Sequence, residues 1–490
     1  METIELEIWA DSFHEGNWVC EELSNFFDRI SREYINGYIP EYKYKIDDNN
    51  QLVCTVFGRY DNWDPIPDKV LKVKSLGKPD MIIYHPSKDK VILSIEETAA
   101  IPTGNQSMQR CERFYGSSRE HVPFWYLIGE FGVHRDGGVR RDSIWPTILS
   151  IRLSNIFKTP SIVLHYSDKE NPEDYSVGEG VSTLFQTVSN YIKLELGLFS
   201  NNELIEELSH QYQHMFEFIH SQADSIVNYL PSIDLLKDKS LPKLISKSVV
   251  NGEDPDPKLN GFLVWPKTDG LPSNIYNEIS PNGVINSDPL IDRMEGLVST
   301  KQAYNIIKGA GSKPQKMSSI NNWIEEQKKN WENSSINKKK KLNYDNLKFE
   351  TTENGNYHLT TAKNVFYLVD SSSSIETLLK ECFSYDDDVN FGDDQPVFFY
   401  ISNSMKKGRI FGDPFTGQLS AYSNIFTKNN LNQRTRLSIT YYPYQVHTQM
   451  FKINGVFNKN KGIDICRELV DYAIFHEGVI VNMKTGDIIC

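Results

Sequence analysis

The sequence predicts a mixed protein of the α/β (α+β) class, and three observations predict it. Across the first 230 or so residues, segments with apolar side chains at helical spacing alternate with short apolar runs of strand length. Beyond about residue 345, strand-like runs dominate. Apolar residues make up 39% of the 490-residue chain and aromatics 12%, enough for a large core, yet the chain contains no membrane-length apolar run.

The elements follow in order. From Glu15 to Ile35, residues Trp18, Val19, Leu23, Phe26, Phe27, Ile30 and Tyr34 recur at helical spacing and predict one helix. Residues 51–58, Asp80–Tyr84 and Val91–Thr98 read as three strands; the last two are separated by His85–Lys90, short enough for a hairpin. Thr103-Gly-Asn-Gln106 has the form of a capping box and predicts a helix over about 105–115. Strands at 122–130 and 161–165 follow, then helices over about 178–197 and 202–229. Pro and Gly become frequent across 231–290, which predicts irregular packing loops. Residues 299–308 and 318–332 read as two short helices. The last third offers strands in HLTTAKNVFYLVD, QPVFFYISN, RLSITYYPY and GVIVNM, with one helix near 462–473. Boundaries near 230 and 343 divide the chain into 1–230, a helical and irregular middle at 231–343 with a basic stretch, and a β-rich part at 344–490. On this division, a chain cut near 343 is expected to keep a folded N-terminal part.

Charge and cysteine usage exclude several classes. A net charge of −13 argues against a generic nucleic-acid coat but leaves room for an enzyme that gathers its basic residues in one cleft. The stretch 301–350 has 11 lysines against 5 acidic residues and is locally basic. The six cysteines are far apart and form no C-x-x-C, against structural zinc or a disulfide framework. The acidic start Met1-Glu-Thr-Ile-Glu-Leu-Glu7 does not read as a secretory leader, so a cytoplasmic protein with no membrane partner is expected.

The chemistry concentrates in GKPDMIIYHPSKDKVILSIEET. Strand alternation puts Ile92, Ser94, Glu96 and Thr98 on one face of their strand and turns Glu97 to the other. Asp80 and Glu96 can then meet at one end of a small sheet. Two adjacent carboxylates are costly unless a divalent cation neutralises them, and such a pair is a usual way to build a Mg2+ site for phosphodiester hydrolysis. Pro79-Asp80, an interval, then Glu96-Glu97-Thr98, in the element order helix, three strands, helix, strand, resembles the PD-(D/E)xK nuclease superfamily, best known from type II restriction endonucleases. The resemblance covers roughly residues 15–130.

That resemblance implies a restriction-endonuclease-like core and a sequence-specific, Mg2+-dependent endonuclease acting on double-stranded DNA, with Mn2+ able to substitute. Asp80, Glu96 and the main-chain carbonyl of Glu97 would hold the metal, with Glu22 on the first helix as a further carboxylate. Thr98 stands where the pattern has lysine, so Gln109 and Arg110 on the following helix are the candidates to compensate; Gln106, Gln109 and Arg113 share one face of that helix. A homodimer and a cognate DNA methyltransferase as functional partner are further expectations.

Plainer roles stay open for each position. Asp80 can cap a turn, Glu96 can belong to an ordinary ion pair, Glu22 to a solvated flank, and Gln109 and Arg110 to a polar helix face. Ser94 and Glu96 can be the working pair, with Glu96 in the lysine slot. For holding DNA, one candidate is the helical pair around Lys328 and Lys329, which loosely resembles a helix-turn-helix. The other is the C-terminal set Lys406, Lys407, Arg409, Arg434 and Arg436; arginine reads guanine edges and lysine contacts phosphate. A helical linker and ordinary surface loops are the alternatives. A non-catalytic nucleic-acid-binding protein on a degenerate nuclease scaffold is the rival function, and a carbohydrate- or peptide-binding module a third.

Overall fold

The computed structural model describes residues 2–98, 108–129, 145–166, 181–222, 237–259, 290, 293–294, 303–307, 314–315, 357–358, 363–385, 387–402, 415–429, 431–442, 450, 456–475 and 478–489. The described elements in chain order are β1 (Glu2–Ala10), α1 (Phe13–Leu23), β2 (Asp28–Ile35), β3 (Ile39–Lys45), β4 (Asn50–Gly58), α2 (Asp68–Val73), β5 (Met81–His85), β6 (Lys90–Thr98), α3 (Cys111–Arg119), β7 (Phe124–Gly129), α4 (Trp145–Phe157), β8 (Ser161–Tyr166), α5 (Val181–Glu195), α6 (Asn201–Gln222) and α7 (Leu241–Asn251). After them come β9 (Ala303–Ile307), β10 (Pro314–Gln315), β11 (Tyr357–His358), β12 (Lys363–Val369), α8 (Ser372–Phe383), β13 (Val397–Ser402), α9 (Phe415–Phe426), β14 (Leu437–Tyr442), α10 (Lys461–Leu469), β15 (Tyr472–Phe475) and β16 (Ile480–Asn482).

A mixed eight-stranded sheet runs β2-β3-β4-β1-β5-β6-β7-β8. β6, β7 and β8 are parallel, β5 is antiparallel to both β1 and β6, and β1 is parallel to β4. On one face α1 and α5 meet through Trp18 and Phe185, ring centroids 5.1 Å apart, and Trp125 meets Tyr191 at 5.1 Å. On the other face α3 packs on β7 through Phe114, 4.8 Å from Phe124 and 5.0 Å from Tyr126. A second sheet runs β16-β15-β14-β13-β12-β9, with β13, β14 and β15 parallel. Parallel neighbours need crossovers, and α9 and α10 supply them.

The two sheets share one core. Aromatic and aliphatic side chains of α3, α4 and β7 form a continuous buried cluster with those of α9, α10 and the strands β12 to β15. Helix α9 makes the join: Trp145 lies 5.2 Å from Tyr422, and the buried Arg152 donates from Nε to the Asn424 carbonyl at 2.8 Å. Among the described residues no helix is long and apolar enough to cross a membrane.

Several expectations are corrected. The predicted helix 15–35 ends at Leu23, and Asp28–Ile35 is an edge strand whose Ile30 and Tyr34 are exposed. The helix expected over 105–115 is described from Cys111, with Arg110 at its N-cap; Thr103 and Gln106 lie outside the described residues. Residues 303–307, expected within a helix, form β9 on the edge of β12, where Ala-Tyr-Asn-Ile-Ile suits a pleated strand. The second member of the expected helical pair, 318–332, lies outside the described residues. Among the described residues the C-terminal part holds three helices, α8, α9 and α10, where one was expected. Both expected boundaries fall outside the described residues, and α7, in the stretch read as loops, packs against α6.

Candidate functional site

Hairpin register brings the acidic pair together. β5 and β6 pair with Met81 opposite Ile95 and Ile82 opposite Ser94, so Asp80, just before β5, faces Glu96. The Asp80 N–H donates to Glu96 Oε2 at 3.2 Å, and the Glu97 N–H donates to Asp80 Oδ2 at 2.9 Å. Asp80 is anchored on its other side by the Asp11 N–H, which donates to its carbonyl at 2.8 Å. Tyr60 donates its hydroxyl to the Pro79 carbonyl at 2.9 Å.

Alternation along β6 works as the sequence implied. Ser94 and Glu96 both face α3: the Ser94 hydroxyl donates to Ser117 at 2.9 Å, and Glu96 meets Arg110 and Arg113. Arg113 Nη1 spans the pair, 3.2 Å from Asp80 Oδ1 and in direct contact with Glu96 Oε1. Arg110 Nε lies 3.1 Å from the same Glu96 oxygen. Close approach of α3 to the Asp80 loop depends on Gly77, where a Cβ would stand 2.7 Å from the Arg113 Cα.

Burial sets the electrostatics. Glu96 is fully buried, while the Asp80 and Arg113 side chains are 16% and 13% exposed. Burial pushes the Glu96 carboxyl up to about 8, against the pull of Arg113 and with the repulsion of Asp80 adding to it. Asp80 is raised as well, chiefly by burial. Burial by itself would lower Arg113, but Glu96 more than offsets this and holds the guanidinium charged. Two carboxylates around one deeply buried cation are short of positive charge, because Arg110 is partly solvated and counts for less.

Other expected site residues fall as follows. Thr98 shares a hydrogen bond of 3.1 Å with the Tyr126 hydroxyl. Gln109 stands before α3, its backbone pressed against Gly417 of α9. Glu22 accepts from Asn25 Nδ2 at 3.3 Å and from Trp18, and is not brought to the pair. The acid of α1 that feels Asp80 is Glu15, in the first turn, a half-buried carboxyl raised by burial and further by Asp80. Arg434 is ion-paired with Asp471 at 2.5 Å, and Arg436 donates to the Phe426 carbonyl at 2.9 Å. Lys328, Lys329, Lys406, Lys407 and Arg409 lie outside the described residues.

Sequence reasoning passed over Arg113 as a site residue, although its place on the Gln109 face of the helix was visible. It also missed Glu15 and Asp11, whose signal is faint: an acidic residue beside a capping serine looks like ordinary helix chemistry.

The oxygen donors that the fold brings together are the carboxylates of Asp80 and Glu96. These are hard oxygen ligands that suit Mg2+ or Mn2+ better than a soft metal. Among the described residues no group of three or more His, Cys, Asp or Glu side chains is arranged to hold a metal. Burial raises both carboxyls of the pair, so each holds a proton more tightly than a free carboxylic acid does. The chain matches no protein-family model, no curated protein and no solved structure.

Proposed function

We propose that this chain is a Mg2+-dependent, sequence-specific endonuclease of double-stranded DNA with a restriction-endonuclease-like N-terminal core. One observation carries the reading: Asp80 and Glu96, on adjacent strands of the β5–β6 hairpin, meet at one sheet end with the Glu97 main chain beside them and two arginines against them. Asp80, Glu96 and the Glu97 carbonyl would hold the cation. When bound, Mg2+ supplies a Lewis acid that acidifies water and neutralises charge at phosphorus. Glu96 must give up its proton to serve as a ligand. Arg113 bridges the two carboxylates and opposes, without cancelling, the rise that burial gives them, and Arg110, the more exposed of the two arginines, is assigned the contact with a phosphate oxygen. With no lysine at 98, Arg110 is the fixed charge left to stabilise the transition state. Base reading is assigned to the C-terminal part, and a homodimer in the cytoplasm alongside a cognate methyltransferase fits such an enzyme.

A second reading is favoured by one feature. Arg113 already bridges both carboxylates, as a structural ion pair would in a nucleic-acid-binding protein that keeps the scaffold and lacks hydrolysis. Incubating the chain with mixed-sequence plasmid, with and without Mg2+, and mapping the ends separates the two. Mg2+-dependent cuts at fixed sites, lost in Asp80→Ala, support the enzyme. Retained DNA binding without any cuts supports the second reading.

A further inference from the structure

Strand β6 is buried from Val91 to Glu96 and emerges from the core at Glu97 and Thr98. Thr98 follows Glu96 on the same strand face, about 7 Å farther along. The neighbouring strand β7 runs parallel, with Tyr126 beside Glu96 and Ile128 beside Thr98. The Tyr126 ring packs against Phe114 of α3 at 5.0 Å, and its hydroxyl lies 3.1 Å from that of Thr98. Glu96, Tyr126 and Thr98 therefore share the face that α3 covers.

Burial decides which hydroxyl gives its proton. Tyr126 is fully buried, and Thr98 is its hydrogen-bond partner among the described residues. Were Thr98 the donor, the phenol proton would stay buried with no acceptor and its desolvation would go uncompensated. Tyr126 therefore donates and Thr98 accepts. The Thr98 proton then has no acceptor among the described residues, Glu96 included. With one lone pair of the hydroxyl taken by Tyr126, that proton is confined to the remaining directions, at the point where the strand reaches the surface.

A second donor stands beside the same carboxylate. Arg110 Nε lies 3.1 Å from Glu96 Oε1, and the Arg110 side chain is 31% exposed. A hydroxyl proton without an acceptor and a partly open guanidinium, both next to Glu96, are answered together by an oxyanion that offers more than one acceptor oxygen. A phosphodiester is such a group, and threonine hydroxyls and arginines are ordinary donors to it.

We propose that Thr98, its hydroxyl turned by Tyr126, donates to a non-bridging oxygen of the phosphate that Arg110 contacts, and that Tyr126 is a positioning residue of the site. The proposal rests on the nucleic-acid reading above and adds a neutral contact to the charged one. It does not require that hydrolysis occurs.

The test is binding of a mixed-sequence duplex by fluorescence anisotropy without divalent cation, from about 50 to 200 mM salt, beside incubation of plasmid with Mg2+. Thr98→Val keeps the shape and loses the hydroxyl. It should weaken binding about three- to tenfold and leave the slope of log affinity against log salt unchanged, because no charge is removed. Thr98→Ser should keep native affinity. Tyr126→Phe frees the Thr98 hydroxyl to turn and should weaken binding about twofold. Melting curves separate this from a plain tie between β6 and β7, which would lower Tm in Thr98→Val and Tyr126→Phe and leave the affinity of the folded chain alone. Native affinity in Thr98→Val would overturn the proposal, and if the native chain cuts plasmid, the nuclease reading survives that result. A loss in Thr98→Ser equal to that in Thr98→Val would overturn the role of the hydroxyl. Native affinity in Tyr126→Phe beside a weakened Thr98→Val would overturn the role given to Tyr126. If the native chain binds duplex and never cuts it, while Thr98→Val is weakened and Thr98→Ser is not, the contact stands and hydrolysis falls. If the native chain binds no duplex, both fall.

Discussion

At the scale of single residues, Asp80, Glu96 and Arg113 act as one unit, and their substitutions should differ in kind. Asp80→Ala or Glu96→Ala deletes a cation ligand and should cost several orders of magnitude in cleavage rate with DNA binding retained. Glu97→Gln should be mild, because the backbone rather than the side chain of Glu97 meets Asp80. Cleavage at the native rate by Glu96→Ala would remove the assignment. Arg113→Ala leaves two buried carboxylates without their main partner and should lower stability by about 3–5 kcal/mol, readable by urea denaturation. If Arg110 is the compensating charge, Arg110→Ala should depress single-turnover cleavage more than DNA affinity, and Gln109→Ala should do less.

The same unit predicts a pH dependence. The Glu96 carboxyl is raised from 4.5 to about 8 in the folded chain. Between those values the folded state binds more protons than the unfolded state, so stability falls as pH rises through that window. The penalty is absent below the lower value and complete above the upper one. Asp80 is raised too, so the pair titrates jointly. Glu96→Gln cannot ionise and should flatten the fall of Tm with pH. Added Mg2+ should raise Tm most at the alkaline end, where the carboxylates are free to take it. A Tm profile unchanged by Glu96→Gln would show that Glu96 does not carry this proton.

Elements show where sequence patterns succeed and where they cannot. The β5–β6 hairpin was legible because it is local: two apolar runs, a short turn, and alternation that placed Glu96 and Glu97 on opposite faces. β2 was misread because Ile30 and Tyr34, spaced like a helix face, are exposed on a sheet edge and record no core contact at all. α4 went unseen for the opposite reason. Twelve of its thirteen residues are buried, Ser150, Arg152, Ser154 and Asn155 among them, so no amphipathic period exists to be read. α9 hides in the same way behind buried Thr416, Gln418, Ser420, Ser423 and Asn424. Its packing gives a prediction of its own. A Cβ at Gly417 would meet the Met108 carbonyl and stand 2.8 Å from backbone atoms of Gln109. Gly417→Ala should therefore destabilise by about 1–3 kcal/mol through overpacking, and should disturb the residues leading into α3. Since Arg110 lies next to Gln109, the variant should lose cleavage rate beyond what its fraction unfolded explains. An activity loss that simply tracks unfolding would confine Gly417 to packing.

For the molecule as a whole, the shared core decides what can be removed. The sequence suggested that a cut near residue 343 would leave a folded N-terminal part, because composition changes there and strand-like runs begin. Composition does not reveal which surfaces meet. Trp145, on the first body, packs edge-on against Tyr422 and lies 6.3 Å from Phe426, and Phe366 and Phe398 extend that cluster into the second sheet. Removing residues beyond 343 would strip α9 from α3 and α4. That exposes a large apolar patch and leaves the buried Arg152 without its Asn424 carbonyl. The expected outcome is a fragment that aggregates or loses near-ultraviolet ellipticity, and a full-length chain that unfolds in one transition under both tryptophan fluorescence and far-ultraviolet detection. Tyr422→Ala, a fully buried aromatic at the join, should lower that single transition by about 3–5 kcal/mol rather than uncouple two. Two separate transitions in Tyr422→Ala, with the first at the native midpoint, would mean that the bodies fold independently; the second sheet would then be docked onto a core that does not depend on it.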